Sequence, residues 1–359
     1  MGRVKGTVNP SFWNGKRVYL TGHTGFKGSW LSLWLQQMGA IVKGYSLEPI
    51  TYPNLFTQAK VAENMESEIG DITDLNHFTE SMVRFNPDIL IHMAAQPLVR
   101  LSYKEPALTY ATNVMGTVNA LESARKCKNL KAIVSVTTDK CYENKEWPWG
   151  YRENEPMGGH DPYSSSKGCA ELVISAYRSS FFSTKDSPNL ASARAGNVIG
   201  GGDWSSDRLI PDILNAFEKN EAVIVRNPLA TRPWQHVLEP LAGYLLLAQH
   251  LYQDGSDYAE GWNFGPKDED CKSVSWILDK MVSKWGNGAS WELDKNSNNP
   301  HEAGYLKLDC SKAAMQLNWY PKWNLNYTLE SIINWHQNYL NGKNTQEQCL
   351  LEINKYQKV

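Results

Sequence analysis

Two groups of residues with reactive side chains lie close together in the middle of the chain. The first is Thr138, Asp139 and Lys140 in the stretch TTDKCYEN, and the second is the pair Tyr163 and Lys167 in PYSSSK. A carboxyl group beside an amine can serve as an acid and a base, and a phenol beside an ammonium group can take the proton of an alcohol. We therefore expect the first group to support an elimination and the second an oxidation.

Tyr163 and Lys167 are four positions apart and share one face if the segment is helical. The apolar residues that predict this helix are Ala170, Val173, Ile174 and Tyr177. A phenol with an ordinary pKa of about 10 is a poor base, but a neighbouring ammonium group and a nicotinamide cation favour the phenolate. The spacing of Tyr163 and Lys167 is also typical of a solvated helix face. The run TTDK is likewise typical of a turn with an exposed charge pair. The glycine loop described next favours the catalytic interpretation.

The glycines Gly22, Gly25 and Gly28 follow an apolar run and precede a helical pattern that ends at Gly39, in KRVYLTGHTGFKGSWLSLWLQQMG. In such a β-loop-α unit, the backbone approaches a pyrophosphate closely and the helix N-terminus favours an anion. A glycine-rich turn kept for packing alone is the alternative. The position of the loop in the first unit of an alternating chain favours dinucleotide binding.

The end of the next expected strand indicates NAD rather than NADP. It has Ser46 where an acidic residue often binds the ribose and Glu48 two positions later, with no arginine beside them for a 2′-phosphate. In GDITD, Asp71 and Ile72 can contact the adenine, although a helix N-cap with Asp74 explains the aspartates equally well.

Short buried-type strands alternate with helix-length segments, which predicts an α/β fold with a Rossmann-like, doubly wound parallel sheet. The expected strands span residues 40–45, 88–95, 131–138 and 190–196. After about Gly200 the chain is richer in Trp, Pro and Asn, which favours a second, smaller mixed α/β substrate domain. We assign residues 1–195 to the NAD-binding domain, with 231–265 returning to it, and 196–230 and 266–359 to the substrate domain. The polar tail at 341–359 is expected to be partly frayed.

Composition excludes several classes of function. A net charge of −2 without a long basic run gives no case for nucleic-acid binding. The six scattered cysteines lack C-x-x-C spacing and the histidines lack ligand spacing, so we expect neither disulfides nor a metal. The longest apolar stretch, YLLLAQHL, is too short to cross a bilayer, and no signal sequence is visible, so we expect no membrane partner and a cytoplasmic location.

The motifs TGHTGFKG, HMAAQ, TNVMGT, TTDK and PYSSSK resemble those of the extended short-chain dehydrogenase/reductase family across nearly the whole chain. Within it, TTDKCYEN, RAGNVIGGGDWSSDRLIPD and ATRPWQHVLEPLAGYL resemble the nucleotide-sugar dehydratases of bacterial deoxysugar pathways, in the branch whose substrate is CDP-linked. The resemblance implies a tightly held NAD, a nucleotide-sugar substrate and a homodimer or homotetramer.

The resemblance also implies roles for individual residues. Thr138 would hydrogen-bond the sugar 4-hydroxyl, Tyr163 would deprotonate it, and Lys167 would orient the nicotinamide ribose and tune Tyr163. The implied cofactor contacts are Gly22, Thr24, Gly25, Phe26, Lys27, Gly28, Asp71, Ile72, Ala94, Ala95, Gln96, Asn113, Tyr163 and Lys167. Related dehydratases carry a glutamate at the position of Lys140. We therefore hypothesise that Asp139 is the general acid and that Lys140 is the base or its electrostatic partner.

Four residues are candidates for the substrate. Arg208 and Arg232 each present a guanidinium fork that matches phosphate oxygens, and the resemblance favours Arg232 more strongly. Asn197 is a candidate for a phosphate or sugar hydroxyl, and Tyr305 for the nucleotide.

The expected reaction is oxidation at C4, loss of water across C5 and C6, and return of hydride to C6. A nucleotide-sugar 4-epimerase would share the loop, Tyr163 and Lys167, but would need no acid-base pair beside the threonine. A non-catalytic NAD-sensing regulator on the same fold would be expected to have lost the tyrosine or the lysine.

Overall fold

The structure is a computed structural model that describes residues 6–286, 288–294 and 304–359. Residues 1–5, at the start of the N-terminal segment searched for a signal, lie outside the described part. The strands are β1 (Arg17–Thr21), β2 (Ile41–Ser46), β3 (Glu66–Ile69), β4 (Ile89–His92), β5 (Ala132–Val136), β6 (Asn189–Ala195), β7 (Val198–Ile199), β8 (Val223–Val225), β9 (Thr231–Pro233), β10 (Gln235–His236), β11 (Gly261–Phe264), β12 (Cys271–Ser273) and β13 (Trp291–Leu293).

Seven of these strands form one parallel sheet in the order β11-β6-β5-β4-β1-β2-β3. The central strands β4 and β5 are buried at every position, as expected for apolar runs covered on both faces. The strand order reverses direction between β1 and β4, where Thr21 lies beside His92. In open α/β sheets a ligand crevice forms at this switch point, outside the carboxyl ends of the strands.

The α-helices connect and cover the strands. They are α1 (Pro10–Trp13), α2 (Phe26–Gln37), α3 (Leu55–Gln58), α4 (Leu75–Phe85), α5 (Val99–Lys104), α6 (Pro106–Tyr110), α7 (Gly116–Ala124), α8 (Pro162–Ser180), α9 (Leu209–Glu218), α10 (Leu238–Gln253), α11 (Val274–Trp285), α12 (Ser311–Gln316), α13 (Leu325–Leu340) and α14 (Thr345–Lys358). A π-helical turn at Ala111–Met115 separates α6 from α7. In the described part of the chain, no helix is both long and apolar enough to cross a membrane.

Two apolar layers cover the sheet. On one face, α2 and α10 pack through side chains such as Trp30, Trp34 and Leu245. On the other face, α4, α7 and α8 contribute Phe78, Leu121 and Ile174 to a separate cluster. The seven-stranded sheet and the two helical layers confirm the doubly wound α/β fold.

Residues from the second half of the chain build two further parts. Helix α10 packs on the sheet and β11 pairs with β6, so this segment adds to the sheet from beyond residue 230. The remaining short strands pair as β8 with β13 and β9 with β12, and α9, α11 and α13 share their own apolar cluster. The proposed division of the chain into two domains stays a prediction.

The expectation of a frayed C-terminal tail is wrong. The segment forms α14, whose Cys349, Ile353 and Tyr356 are buried at helical spacing. The Tyr356 hydroxyl donates a hydrogen bond to Glu239 Oε2 at 2.6 Å. Polar residues outnumber apolar ones in this segment, but the few apolar ones lie on one face and dock it.

Candidate active site

The glycine loop forms a tight turn at the carboxyl end of β1. Gly22 has a φ of +77°, and a Cβ on it would lie 2.9 Å from the backbone nitrogen of Ala94. A Cβ on Gly28 would lie 2.0 Å from the Gly22 carbonyl oxygen. Gly25 is the N-cap of α2 and its own Cβ would meet nothing closer than 3.5 Å. The loop thus brings the N-terminus of α2 to the mouth of an open cleft.

This cleft lies at the switch point of the sheet and has a volume of about 1350 Å³ when the open solvent at its mouth is included. Its lining contains most of the expected cofactor residues: Gly22, Thr24, Gly25, Phe26, Lys27, Gly28, Asp71, Ile72, Ala94, Ala95, Tyr163 and Lys167. Ser46 and Glu48 also line it, and the Thr24 hydroxyl hydrogen-bonds Ser46 Oγ at 2.8 Å. Asp74 is the N-cap of α4, whereas Asp71 faces the cleft, so the two aspartates of GDITD differ in position.

Gln96 and Asn113 lie behind the cleft rather than in its lining. The Asn113 amide accepts a hydrogen bond from the Gln96 backbone nitrogen at 2.8 Å and donates to Ser166 Oγ at 2.9 Å. Gln96 Nε2 donates to Thr109 Oγ1 at 2.8 Å. Asn113 also falls within the π-helical turn, a type of distortion that is frequent at functional sites. Direct contact of Gln96 and Asn113 with a cofactor stays a prediction. In the structure, the two side chains fix the loop after β4 against α8.

The pair Tyr163 and Lys167 lies in the first turns of α8, which begins with Pro162 and is capped by Asp161. Both side chains line the cleft, and Lys167 Nζ donates to the Val136 carbonyl at 3.4 Å. Burial raises the pKa of Tyr163 to about 12 and lowers the pKa of Lys167 to about 8. A hydrogen bond with the Thr138 side chain opposes the rise at Tyr163.

Thr138, Asp139 and Lys140 follow β5 directly, in a 3₁₀ turn that Thr138 caps by accepting from the Lys140 backbone nitrogen at 3.4 Å. The Thr138 hydroxyl donates to Asp139 Oδ1 at 2.9 Å. Asp139 is only 1% exposed, and its Oδ2 has no hydrogen-bond partner among the described residues. The structure therefore joins the two groups of reactive residues through Thr138.

Burial raises the pKa of Asp139, while the charges of Lys140 and Arg232 and the bond from Thr138 oppose this rise. A carboxyl group with a raised pKa retains its proton at higher pH and can act as an acid. Lys140 is half-buried beside it. This arrangement provides an acid next to an amine at the end of β5.

Lys27 adds a further cation to the cleft. Its pKa is lowered to about 7, mainly by burial and then by the nearby charges of Lys167 and Arg208, while Asp139 opposes the shift. Its Nζ lies 6.0 Å from the centre of the Tyr244 ring. Three basic side chains thus face one cleft, which suits an anionic ligand.

The four substrate candidates occupy different places. Arg208 lines the cleft and pairs with Asp203 at 3.2 Å. Arg232 is buried in β9, where its charge acts on Asp139. Asn197 and Tyr305 lie outside the cleft lining. The Asn197 carbonyl accepts from the Gln235 backbone nitrogen, and the Tyr305 hydroxyl donates to the Pro148 carbonyl at 3.2 Å.

Glu171 and Arg194 form a buried ion pair that the sequence analysis missed. Arg194 Nη2 lies 2.7 Å from Glu171 Oε2, and both side chains are less than a tenth exposed. The spacing of Glu171, one turn after Lys167, could have indicated it, but nothing in the sequence joins Arg194 to α8. The negative charge of Glu171 raises the pKa of Lys167 against the effect of burial.

A family model described as GDP-mannose 4,6 dehydratase matches residues 20–332, which is most of the chain and includes every strand of the large sheet except the first three residues of β1. The chain belongs to the GDP-mannose 4,6-dehydratase family. The resemblance seen in the motifs is thereby confirmed at the level of the family.

Within this family, the chain is similar to curated dehydratases with different nucleotides. It is 60% identical to the CDP-glucose 4,6-dehydratase of Salmonella typhimurium strain LT2, over 97% of this chain and 98% of that protein. It is 24% identical to the dTDP-glucose 4,6-dehydratase of the same organism, over 89% of this chain and 92% of that protein.

Solved structures share the family fold at low sequence identity. The dTDP-glucose 4,6-dehydratase of Bacillus anthracis in complex with NAD has a TM-score of 0.75 and 20% identity, covering 91% of this chain and 98% of that one. The UDP-glucose 4-epimerase of Thermotoga maritima with UDP-glucose has a TM-score of 0.75 and 18% identity, covering 90% and 99%. At this identity the likeness establishes the fold alone, which dehydratases and epimerases share.

Proposed function

We propose that this chain is an NAD-dependent hydro-lyase that converts CDP-D-glucose to CDP-4-keto-6-deoxy-D-glucose, a step of deoxysugar biosynthesis. The observation that carries the proposal is the 60% identity to a CDP-glucose 4,6-dehydratase along nearly the full length of both chains. Tyr163 and Lys167 line the cleft, and Thr138 links Tyr163 to the buried Asp139 behind it. This cluster supports the proposal, because the reaction needs both a base for an alcohol and an acid for a leaving hydroxyl.

The cleft fits NAD. Gly22 and Gly28 leave room for the backbone only, so a pyrophosphate can approach the N-terminus of α2. Lys27 and Lys167 supply positive charge along the same wall. Glu48 lies in the lining with Ser46 at the end of β2, a placement that suits ribose hydroxyls and repels a 2′-phosphate. Bound NAD supplies a nicotinamide that accepts hydride from C4 of the sugar and returns it to C6.

Tyr163 takes the proton of the sugar 4-hydroxyl during the oxidation. Thr138 lies beside Tyr163 and stabilises its phenolate by hydrogen bonding. Lys167, one helical turn on, holds a positive charge near the phenol and orients the nicotinamide ribose. The bond with Thr138 and the charge of Arg208 favour ionisation of Tyr163, which burial opposes.

Asp139 and Lys140 serve the elimination. Once C4 is a ketone, the proton at C5 is acidic and can be taken by a base, which we assign to Lys140. The carboxyl group of Asp139 then protonates the departing 6-hydroxyl, so that water leaves. The raised pKa of Asp139 fits this role because it keeps the acid form available. The proton on Lys140 returns to C5 as hydride reaches C6.

Arg232 and Arg208 are proposed to bind the diphosphate of the sugar nucleotide, with Asn197 and Tyr305 at the sugar or base. Support comes from the position of Arg208 in the cleft and from the charge of Arg232 beside Asp139. A guanidinium group pairs well with phosphate oxygens and stays charged. We assign cytidine as the base of the substrate because of the 60% identity to a CDP-glucose 4,6-dehydratase.

The test is incubation of the protein with NAD and CDP-D-glucose that carries deuterium at C4. We expect the ultraviolet absorbance that 4-keto sugars give in alkali, and deuterium at C6 of the product. An epimeric sugar nucleotide without loss of water would instead identify a 4-epimerase. Neither product with CDP-, UDP-, dTDP- or GDP-linked hexoses would favour a non-catalytic NAD sensor.

A pair of matched variants on α8 locates the chemistry. Tyr163→Phe should lower turnover by about 10²- to 10⁴-fold, the usual contribution of a general base. Tyr177→Phe removes a hydroxyl from the same helix that donates only to Glu122, and turnover should not change. Equal activity of the two variants would contradict the role of Tyr163.

A homodimer or homotetramer and a cytoplasmic location are also proposed. Large apolar side chains are exposed on neighbouring helices, among them Tyr103, Leu108, Met115 and Leu172. Exposed apolar patches of this kind mark contacts between proteins. Light scattering of the purified protein tests the assembly, and a monomer at micromolar concentration would contradict it.

A further inference from the structure

The proposed reaction leaves two groups of the protein in the wrong protonation state at the end of each cycle. Tyr163 gains the proton of the 4-hydroxyl, and the product is a ketone, so this proton is not returned to the sugar. Asp139 loses a proton to the departing hydroxyl, which leaves as water. The C5 proton and the hydride both return to the sugar, so they leave no change on the protein or on NAD. Before the next cycle, Tyr163 must therefore lose one proton and Asp139 must gain one.

The structure holds a hydrogen-bonded path between these two residues. The Thr138 hydroxyl donates to Asp139 Oδ1 at 2.9 Å. The same Thr138 side chain hydrogen-bonds Tyr163, which opposes the rise that burial causes in the Tyr163 pKa. A hydroxyl both accepts and donates, so Thr138 can receive a proton from the phenol as it gives its own to the carboxylate. No bond to carbon changes in this transfer.

The alternative source of the proton is bulk water, and burial opposes it. Asp139 is 1% exposed, Thr138 6% and Tyr163 9%. Asp139 Oδ2 has no hydrogen-bond partner among the described residues, and the Gly196 backbone closes over it, since a Cβ there would lie 2.2 Å away. Within the described part of the chain, the side-chain hydrogen bond that the Asp139 carboxylate accepts comes from Thr138 Oγ1.

We propose that Thr138 is a proton relay that returns a proton from Tyr163 to Asp139, so that the proton taken from the sugar 4-hydroxyl makes good the one that Asp139 gave to the eliminated water. The transfer is balanced: the O–H bond of Tyr163 breaks, the O–H bond of Asp139 forms, and Thr138 exchanges one proton for another. This inference deepens the proposed function and rests on it. Thr138 thereby links the oxidation to the elimination in addition to holding the 4-hydroxyl.

The charges around the relay allow the transfer in this direction. Burial raises the pKa of Asp139, which favours its neutral form, while the charge of Arg208 and the bond from Thr138 favour the phenolate of Tyr163. Lys140 and Arg232 oppose protonation of Asp139. Transfer after the elimination, from the phenol of Tyr163 through Thr138 to the carboxylate of Asp139, restores the base and the acid together.

The test compares CDP-D-glucose with its 6-deoxy-6-fluoro analogue. Fluoride leaves without being protonated, so its elimination needs no proton on Asp139, while every earlier step is the same. Thr138→Val should lower turnover of CDP-D-glucose about 100-fold more than turnover of the fluoro analogue, measured by fluoride release and by the 4-keto absorbance. Asp139→Asn should likewise lower turnover of CDP-D-glucose more than turnover of the fluoro analogue. Combining Thr138→Val with Asp139→Asn should not increase this difference.

The controls separate the relay from simple positioning. Thr138→Ser retains the hydroxyl, and the ratio of the two turnover numbers should stay near the wild-type ratio. Thr138→Ala is a second variant without the hydroxyl, in case Thr138→Val does not give the native circular dichroism spectrum. Equal losses on both substrates in the variants without a hydroxyl would overturn the relay and leave the dehydratase intact. A wild-type protein that dehydrates neither substrate would overturn the proposed function and the relay together.

Discussion

The Arg194 guanidinium lies 2.7 Å from the Glu171 carboxylate, in a buried pair that connects β6 to α8 one helical turn beyond Lys167. The same carboxylate accepts hydrogen bonds from Thr137, directly after β5, and from Ser192, in the middle of the neighbouring strand β6. The pair therefore fixes the helix that carries Tyr163 to the strand that leads into Thr138. It also sets a negative charge near the ammonium group of Lys167.

Replacement of Glu171 by Gln should destabilise the protein. The substitution leaves Arg194 buried without a counter-charge, which typically costs about 3 to 5 kcal/mol of unfolding free energy. It should also lower the pKa of Lys167 further, because Glu171 is the largest influence that raises it. Urea denaturation measures the loss of unfolding free energy.

Glu63→Gln is the control. Glu63 forms an exposed pair with Lys60, and its replacement should change the unfolding free energy by less than about 1 kcal/mol. Equal losses in both variants would contradict the importance of the buried pair.

The sequence was enough to predict the parallel sheet because β4 and β5 are short apolar runs between helical patterns. Strand β3, with the sequence ESEI, was not predicted. It lies at the sheet edge with mostly exposed side chains, and its pairing with β2 is what makes it a strand. Helix α14 was underestimated for a related reason, since its docking depends on buried positions that only the tertiary structure reveals.

The candidate site was predictable where function depends on local spacing, as for Gly22, Gly25, Gly28, Tyr163 and Lys167. The burial of Asp139 and its bond to Thr138 could not be predicted, because they depend on how β5 and the backbone at Gly196 come together. The Glu171–Arg194 pair joins elements distant in sequence, and a single sequence contains no signal that links Arg194 to α8.

Two substitutions in the glycine loop should separate folding from cofactor binding. Gly25→Ala adds a methyl group that meets no protein atom closer than 3.5 Å, so the melting temperature should hardly change. At the N-cap of α2 the methyl group would stand in the proposed approach of the pyrophosphate. The affinity for NAD should then fall at least about tenfold, which corresponds to about 1.4 kcal/mol. Fluorescence titration with NADH measures this affinity.

Gly28→Ala is the matched comparison, because its Cβ would lie 2.0 Å from the Gly22 carbonyl oxygen. This variant should lose both stability and NAD affinity. Full NAD affinity in Gly25→Ala would show that the dinucleotide does not approach the N-terminus of α2.

Two buried histidines should make the protein less stable in mild acid. Burial lowers the pKa of His23 to about 4 and that of His92 to about 3, whereas both approach 6.5 on unfolding. The unfolded state then binds more protons below pH 6.5, so stability falls as pH drops from about 6.5 towards 4. Between about pH 7 and pH 5, each histidine should reduce the unfolding free energy by about 2 kcal/mol.

The contribution of one histidine is measured by difference. His23→Asn should flatten the dependence of the unfolding free energy on pH over this window. An unchanged slope in His23→Asn would mean that His23 is protonated in the folded protein.

Lys27 should take up a proton when NAD binds. Burial and the charges of Lys167 and Arg208 lower its pKa to about 7, so its amine is mostly neutral at about pH 8. A pyrophosphate beside it favours the ammonium form, and we expect uptake of roughly half a proton or more per NAD at that pH. By linkage, the affinity for NAD should fall as pH rises above about 7.

Calorimetry in two buffers with different heats of ionisation measures this proton uptake. Lys27→Met should abolish it and Lys60→Met, at an exposed position, should retain it. The same uptake in both variants would place the pyrophosphate away from Lys27.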